Sequence, residues 1–371
     1  MPDSTKKSLI FYGIKYYPSK GGTSRVAENI IRNIYSQFNI IIYCYRHHSA
    51  KNYIPEVKSI QFPELPFKGL GVFIYYFLTA LHLLFFIDRK SIIHAHKIDC
   101  AFFLPLLRLK FKKIIGTSHE SPYHRDKWGR IGKTYFHIAE WMFIHFTSIP
   151  TSISKPLADF YYKKFYRKVH FIPNGINFDH ELDIDSAESL LRKLDINEKY
   201  LMFASRRIMS TKGLHTLFEA LNILDLRSPV IVAGDEWHAQ KYVNQLKEKY
   251  KHLNLYYTGY IYLPVLLALV SKAELFVFPS EIEGMSIMLL EVVSVGTPVI
   301  CSDIPENTQV FSGEEVLYFK NKDAEDLSKK IRFALNNPEM MKTFTVNSKE
   351  KIINHYSWKQ ISRQYQELYT Q

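Results

Sequence analysis

Short apolar runs alternate with amphipathic stretches along almost the whole chain. Residues 9–14, 40–45, 91–95, 114–117 and 146–150 read as strands in the first half. Residues 201–204, 230–233, 253–257, 275–278 and 298–301 do so in the second. Helix-period segments lie between them, for example 23–36 and 212–224. Strands alternating with helices predict parallel sheets joined by right-handed crossovers, an α/β class. The 371 residues are enough for two domains of ordinary size. The turn-forming cluster Pro173-Asn174-Gly175 is the expected boundary, giving domains at 1–175 and 176–355. The last segment, 358–369, reads as a helix.

One stretch invites a membrane reading. Residues 70–87 are mostly apolar and aromatic and reach the lower edge of a transmembrane span. They include Thr79, His82 and two tyrosines, and Asp88-Arg89-Lys90 leads directly into the next strand. A crossover helix packed between a sheet and its neighbours is also apolar all round, and a buried helix is the expectation here.

Composition narrows the class. A hydrophobic content of 47% excludes general disorder. The three cysteines, Cys44, Cys100 and Cys301, include no close pair and suggest neither a disulfide framework nor a zinc site, which fits a reducing cytoplasm. The apolar run after Lys7 is too short for a secretory signal and reads as the first strand. The net charge of +12 is uneven: residues 1–175 hold 26 Lys/Arg against 10 Asp/Glu, and the rest is slightly acidic. A basic half suggests a domain facing a polyanion, either nucleic acid or an anionic membrane surface. No recognition helix, RNA-binding motif or zinc finger supports nucleic acid. Basic and aromatic residues interleave over 160–168, and Lys110, Lys112 and Lys113 cluster, which favours the membrane. The protein is therefore expected to be cytoplasmic and peripheral to the inner face of the membrane.

Residues 274–299 carry the most chemistry. An apolar run stops at Pro279-Ser280, an acidic loop follows, and a helix-period segment leads to Gly-Thr-Pro and a second apolar run. Glu283 precedes that helix and Glu291 lies within it. The loop after a parallel strand, entering a helix N-terminus, is where α/β folds bind ligands. Backbone N–H groups there can hold hydroxyl or phosphate oxygens, and an ionised carboxylate accepts paired sugar hydroxyls.

This pattern resembles the E-x7-E signature of retaining GT-B glycosyltransferases of the "group 1" (family 4) type. Further matches follow in order: Gly21-Gly22, Ile-Pro-Asn-Gly-Ile-Asn at 172–177, Ser-Arg-Arg-Ile-Met-Ser-Thr-Lys-Gly at 205–213, Val-Ala-Gly-Asp at 232–235 and Thr-Gly-Tyr at 258–260. Two departures stand out. Ser286 replaces a frequent Gly, and Arg206-Arg207 replaces Gly-Arg. The resemblance implies two Rossmann-like parallel-sheet domains facing a central cleft, closing about Asn174-Gly175, with the C-terminal helix (356–371) packed back on the first domain. It implies a nucleotide-sugar donor and hexosyl transfer to a saccharide or lipid-linked saccharide in bacterial surface polysaccharide synthesis. Residues 118–128 are loosely similar to rhamnosyl- and hexosyltransferases, and rhamnose, glucose, N-acetylglucosamine, galactose and mannose are all open as the transferred sugar.

Carried over residue by residue, the resemblance places Arg207 and Lys212 at the donor diphosphate, with Arg206 as the competing arginine. Positive groups there stabilise charge growing on the leaving phosphate. A cation at a helix N-terminus opposes the helix dipole, so a nearby anion is expected beside Lys212. Glu283 is implied at the sugar hydroxyls, Glu291 at the ribose, His119 near the reaction centre and Tyr260 at the nucleobase. Gly21, Gly22, Gly234, Gly284, Met285, Ser286 and Ile287 are implied as donor contacts. His94 and His96 at another strand end read as structural, with rings expected to diverge. Asp183-Ile184-Asp185 imitates an Asp-x-Asp metal motif, but its place in an acidic stretch after the interdomain turn reads as helix capping. No metal and no cofactor are expected. A nonhydrolysing sugar-nucleotide epimerase of the same plan and a nucleic-acid-binding protein are the alternatives.

Overall fold

The computed structural model describes residues 5–48, 53–120, 129–237 and 239–371. Two compact units emerge, one from residues 1–175 with 358–371 and the other from 176–357.

In the first unit the strands are β1 (Ser8–Tyr12), β2 (Asn39–Tyr45), β3 (Val57–Phe62), β4 (Ile92–His96), β5 (Ile114–Ser118), β6 (Ile149–Ser152) and β7 (His170–Phe171). They form a parallel sheet in the order β3-β2-β1-β4-β5-β6-β7. The connections include helices α1 (Gly22–Ile34), α2 (Lys68–Phe86), α3 (Leu104–Arg108), α4 (Arg130–Phe146) and α5 (Lys155–Phe165). Central strands such as β4 and β5 are buried along their whole length. Burial on both faces is why neither alternates apolar with polar, although His94, His96, Thr117 and Ser118 lie toward their C-terminal ends.

The second unit repeats the plan. It runs α6 (Ile184–Lys193), β8 (Leu201–Arg207), α7 (Leu214–Leu224), β9 (Val230–Asp235), α8 (Gln240–Lys249), β10 (Leu255–Gly259), α9 (Leu263–Lys272) and β11 (Leu275–Phe278). It continues with α10 (Ile287–Ser294), β12 (Val299–Ser302), α11 (Pro305–Thr308), β13 (Leu317–Phe319), α12 (Ala324–Asn336) and α13 (Pro338–His355). Its parallel sheet is ordered β10-β9-β8-β11-β12-β13. In each sheet the order reverses once, between β1 and β4 and between β8 and β11. The crevice beyond those strand ends is the expected ligand position.

The final helix, α14 (Trp358–Thr370), belongs to the first unit. Tyr365 and Tyr369 on it are fully buried. The Tyr369 hydroxyl bonds His94 Nδ1 at 2.7 Å, and the Lys113 ammonium donates to the Tyr369 carbonyl at 3.0 Å.

Several sequence expectations need correction. Strands β3, β7 and β13 were not read from the sequence. All three lie at sheet edges, where partial exposure breaks the apolar run. The strand expected at 146–150 begins at Ile149, because α4 extends through Phe146. Helix α2 is not buried between layers. Only a third of the Gly69–Phe86 window is buried, because one face packs on the sheet and no other layer of the described residues covers the opposite one.

The basic residues singled out near 160–168 and 110–113 are also largely engaged within the unit. Lys164 pairs with the fully buried Glu140. Arg167 donates to the carbonyls of Ile144 and Thr147, satisfying the C-terminal end of α4. Lys110 does the same for α2 through Leu84 O at 2.5 Å. Lys112, Lys163 and Lys168 are exposed.

Candidate active site

In the second unit two loops meet at the β8/β11 reversal. Gly213 follows the short 3-10 turn Ser210–Lys212 at φ +70, and a Cβ there would lie 1.9 Å from Pro279 O. Only glycine permits this approach. The contact is completed by Glu281 N–H donating to Thr211 O at 2.9 Å. Lys212 is thereby set against the loop after β11, and its ammonium bonds Glu283 Oε1 at 2.6 Å, with both side chains mostly shielded. This carboxylate is an anion beside the cation that precedes α7. The ammonium has further donors and the carboxylate further lone pairs, so the pair can hold a phosphate oxygen and a sugar hydroxyl together.

Neighbouring acids are arranged around this pair. Glu281 is held by His215 Nε2 at 3.1 Å and by Lys322 at 3.2 Å, while His215 Nδ1 bonds the Tyr242 hydroxyl at 2.9 Å. Glu306, on the short helix after β12, has its carboxyl raised above the usual range by burial, with the Glu283 charge adding to the effect. Ser286 caps α10 through Leu289 N–H at 3.3 Å, a task that requires no glycine. Ile287 opens that helix, Met285 is buried before it, and Glu291 is wholly buried on it. Gly284 lies in the same loop. Arg206 and Arg207 end β8 with exposed side chains, and Tyr260 is exposed just past β10. Gly234, next to last in β9, lies against Ser205 O, so strand packing accounts for its small size.

In the first unit the equivalent reversal carries imidazoles. Gly13, at φ +87, lies so close to the strand beyond β1 that a Cβ would sit 2.2 Å from His96 O. His96 Nδ1 and His119 Nε2 share a hydrogen bond of 3.2 Å at the ends of β4 and β5. His94 bonds Thr117 Oγ1 at 2.8 Å in addition to Tyr369. Its ring centroid is 4.1 Å from that of His96, so the expected divergence is wrong. Residues two apart on a strand share a face. Burial lowers the pKa of His94 to about 3, and the electrostatic influence of the nearby His119 adds to the effect. Burial and then Lys97 lower that of His119 to about 3. His96 is driven well below the usual value by burial and both neighbours. All three rings are neutral, with donor and acceptor nitrogens suited to uncharged hydroxyls. Gly21 precedes α1 with no side-chain cap, and a Cβ added at Gly22 would meet nothing, so packing does not demand that glycine.

Residues 186–351 match the family model described as Glycosyl transferases group 1, and residues 20–180 match Glycosyltransferase Family 4. The chain is a group 1 glycosyltransferase. An uncharacterized glycosyltransferase of Methanocaldococcus jannaschii is 23% identical over 98% of each chain. The O-antigen biosynthesis glycosyltransferase WclY of Escherichia coli is 25% identical over 50% of this chain and 51% of its own. The structure of Anabaena HepE in complex with UDP-glucose superposes with a TM-score of 0.80 at 14% identity, covering 98% of this chain and 99% of that one. That likeness establishes the GT-B fold of two Rossmann-like domains.

Within this glycosyltransferase, sequence reasoning missed Glu281, Lys322, Glu306 and the His96–His119 bond. Glu281 stands two residues before Glu283 in the same acidic loop, and that was its only signal. Asp183, by contrast, caps α6 through Ser186 N–H at 3.0 Å and accepts the Tyr262 hydroxyl. Of the tract 118–128 likened above to rhamnosyl- and hexosyltransferases, residues 121–128, with Tyr123, Arg125, Lys127 and Trp128, lie outside the described residues.

Proposed function

We propose that this glycosyltransferase moves a hexosyl group, with retention at the anomeric carbon, from a nucleoside diphosphate sugar to a saccharide or lipid-linked saccharide. The biological setting is synthesis of a bacterial surface polysaccharide: capsule, O-antigen or lipopolysaccharide. The observation that carries this reading is the Lys212–Glu283 pair at the β8/β11 reversal. It unites a cation for the diphosphate with a carboxylate for the sugar. The bound UDP-glucose of the Anabaena protein and the O-antigen role in the name of the Escherichia coli relative support it.

In the proposed reaction the bond from the anomeric carbon to the diphosphate breaks through an oxocarbenium-like transition state. Lys212 and Arg207, with Arg206 as the alternative arginine, meet the charge growing on the leaving phosphate. The acceptor oxygen forms the new bond on the same face, and its proton passes to the departing phosphate oxygen. Glu283 holds sugar hydroxyls, Glu291 the ribose and Tyr260 the base, while His119 offers a neutral ring to the sugar. These cations make a divalent metal unnecessary. The enzyme works on the cytoplasmic side of the membrane, and the polyanion its basic unit faces is lipid rather than nucleic acid.

Nucleoside diphosphate release across UDP-, GDP- and dTDP-sugars, with saccharide acceptors and with or without EDTA, tests the proposal. Release is expected with one donor class and unchanged by EDTA. No release from any donor overturns the transfer reading. Loss in EDTA restored by Mg²⁺ or Mn²⁺ overturns the metal-free mechanism and returns attention to Asp183 and Asp185.

A further inference from the structure

Helix α2 carries two apolar faces, and only one of them is used. Tyr75, Tyr76, Thr79, Ala80 and Leu83 are fully buried against the unit. Leu70, Ile74, Phe77, Leu78, Leu81 and Phe85 fall on the opposite side, at the spacing that aligns residues along one helix face. Leu70 is 61% exposed and Phe85 75%, with Phe77 and Leu78 also exposed. The ridge runs about 22 Å at 1.5 Å per residue. No charged residue interrupts it between Lys68 and Asp88.

The neighbouring elements extend this surface. Lys110 bonds the last turn of α2, and the preceding Leu109 is 83% exposed. Beyond α3, helix α4 exposes Ile131, Ile138 and Trp141, and a hollow of about 310 Å³ is lined by Thr134, His137, Ile138 and Trp141. Exposed Arg89 and Lys90 follow α2, and exposed Arg130 and Lys133 open α4. Acids are scarce. The single acid of α4, Glu140, is buried against Lys164, and Asp159 of α5 is paired with Lys155.

We propose that the α2–α4 face docks on an anionic lipid bilayer, with the α2 ridge in the headgroup boundary and the basic residues at its margins on lipid phosphates. Apolar patches of this extent rimmed by polar residues mark interaction surfaces. A bilayer suits this one because it takes a long apolar ridge, an interfacial tryptophan and cations together, without requiring matching acidic side chains. The helix lies on the membrane and does not span it, since its other face belongs to the protein core. The inference deepens the lipid-linked acceptor reading and rests on it only for its biological use.

The test is flotation of the full chain with vesicles of phosphatidylcholine alone and of phosphatidylcholine mixed with phosphatidylglycerol. The protein should float with the anionic vesicles at low salt and be released at high salt. Leu78→Glu with Phe85→Glu should weaken binding at least ~10-fold, since it puts charge into the apolar ridge. Arg130→Glu with Lys133→Glu should weaken it on anionic vesicles. Circular dichroism confirms that each variant is folded. Unchanged flotation of the ridge variant, or wild-type protein in the supernatant with both vesicles, overturns the proposal. So does resistance to high salt with release only by detergent, which indicates a span. A dimer that becomes monomeric in the ridge variant, without vesicle binding, assigns the face to a second copy and also overturns it. Nucleoside diphosphate release with a water-soluble acceptor, measured in parallel, separates the two readings. Release that persists in the ridge variant leaves transfer intact whatever flotation shows, and its absence from vesicle-bound wild type counts against transfer alone.

Discussion

The two units solve the same geometrical problem with opposite chemistry. At each sheet reversal a left-handed glycine lets one strand-end loop touch the next: Gly13 against His96 in the first unit, Gly213 against Pro279 in the second. Onto that shared frame the second unit places a charged pair, Lys212 and Glu283, partly open to solvent. The first places neutral, buried imidazoles, His96 and His119. A charged edge suits a diphosphate whose charge grows in the transition state, and a neutral edge suits hydroxyls. The fold sets where the chemistry sits, and side-chain burial sets what kind it is.

The charged edge should be the more sensitive to mutation. Lys212→Ala and Glu291→Gln are each expected to lower turnover at least ~100-fold, the scale of a lost transition-state charge contact. Near wild-type turnover of a folded variant removes that residue from the site, and with it the charged half of the contrast. Gln is chosen at 291 because the side chain is wholly buried and its shape must be kept.

The shared frame is tested by Gly213→Ala and Gly13→Ala. Each puts a Cβ near 2 Å from a carbonyl oxygen at positive φ, at 1.9 and 2.2 Å respectively. Chemical denaturation should show a loss of about 2 kcal/mol for each, the range for strained backbone forced on a non-glycine residue. If one glycine tolerates alanine without loss, the two reversals are not equivalent.

The last contrast concerns pH. Burial holds His94 and His119 near 3, below the ordinary 6.5, so between those values the unfolded chain binds protons that the folded one does not. Stability is then full above the unfolded value and is lost as pH falls toward the folded one. Thermal midpoints should fall on acidification through this window. A His94→Asn, His119→Asn double variant should lose less over the same window. An identical decline in both proteins means that the imidazoles are not the source.

Much of the fold was legible in the sequence because its signals are local. Apolar runs such as 114–117 and 275–278 fall where β5 and β11 lie, and the Pro173-Asn174-Gly175 turn falls where the units divide. Edge strands such as β13 were not, since half-exposed positions carry no clear period. The Glu283 loop and Lys212 were picked out by motif, yet their 2.6 Å contact joins residues 71 positions apart and needed the β8/β11 neighbourhood.

By itself, then, the sequence determined the strand–helix alternation, the acidic loop before α10 and the excess of positive charge in residues 1–175. Periodicity and composition report which groups are present and how they alternate. Tertiary structure alone decided which of those groups are available. Lys164 and Arg167 lie within the same basic run as Lys163 and Lys168, but the first two are engaged with Glu140 and the end of α4. Helix α2 is apolar on every side, and only the sheet beneath it determines which side is core and which faces out. His94 and His96 are neutral because other strands and α14 bury them. Availability depends on what packs against a residue, and those neighbours come from distant parts of the chain.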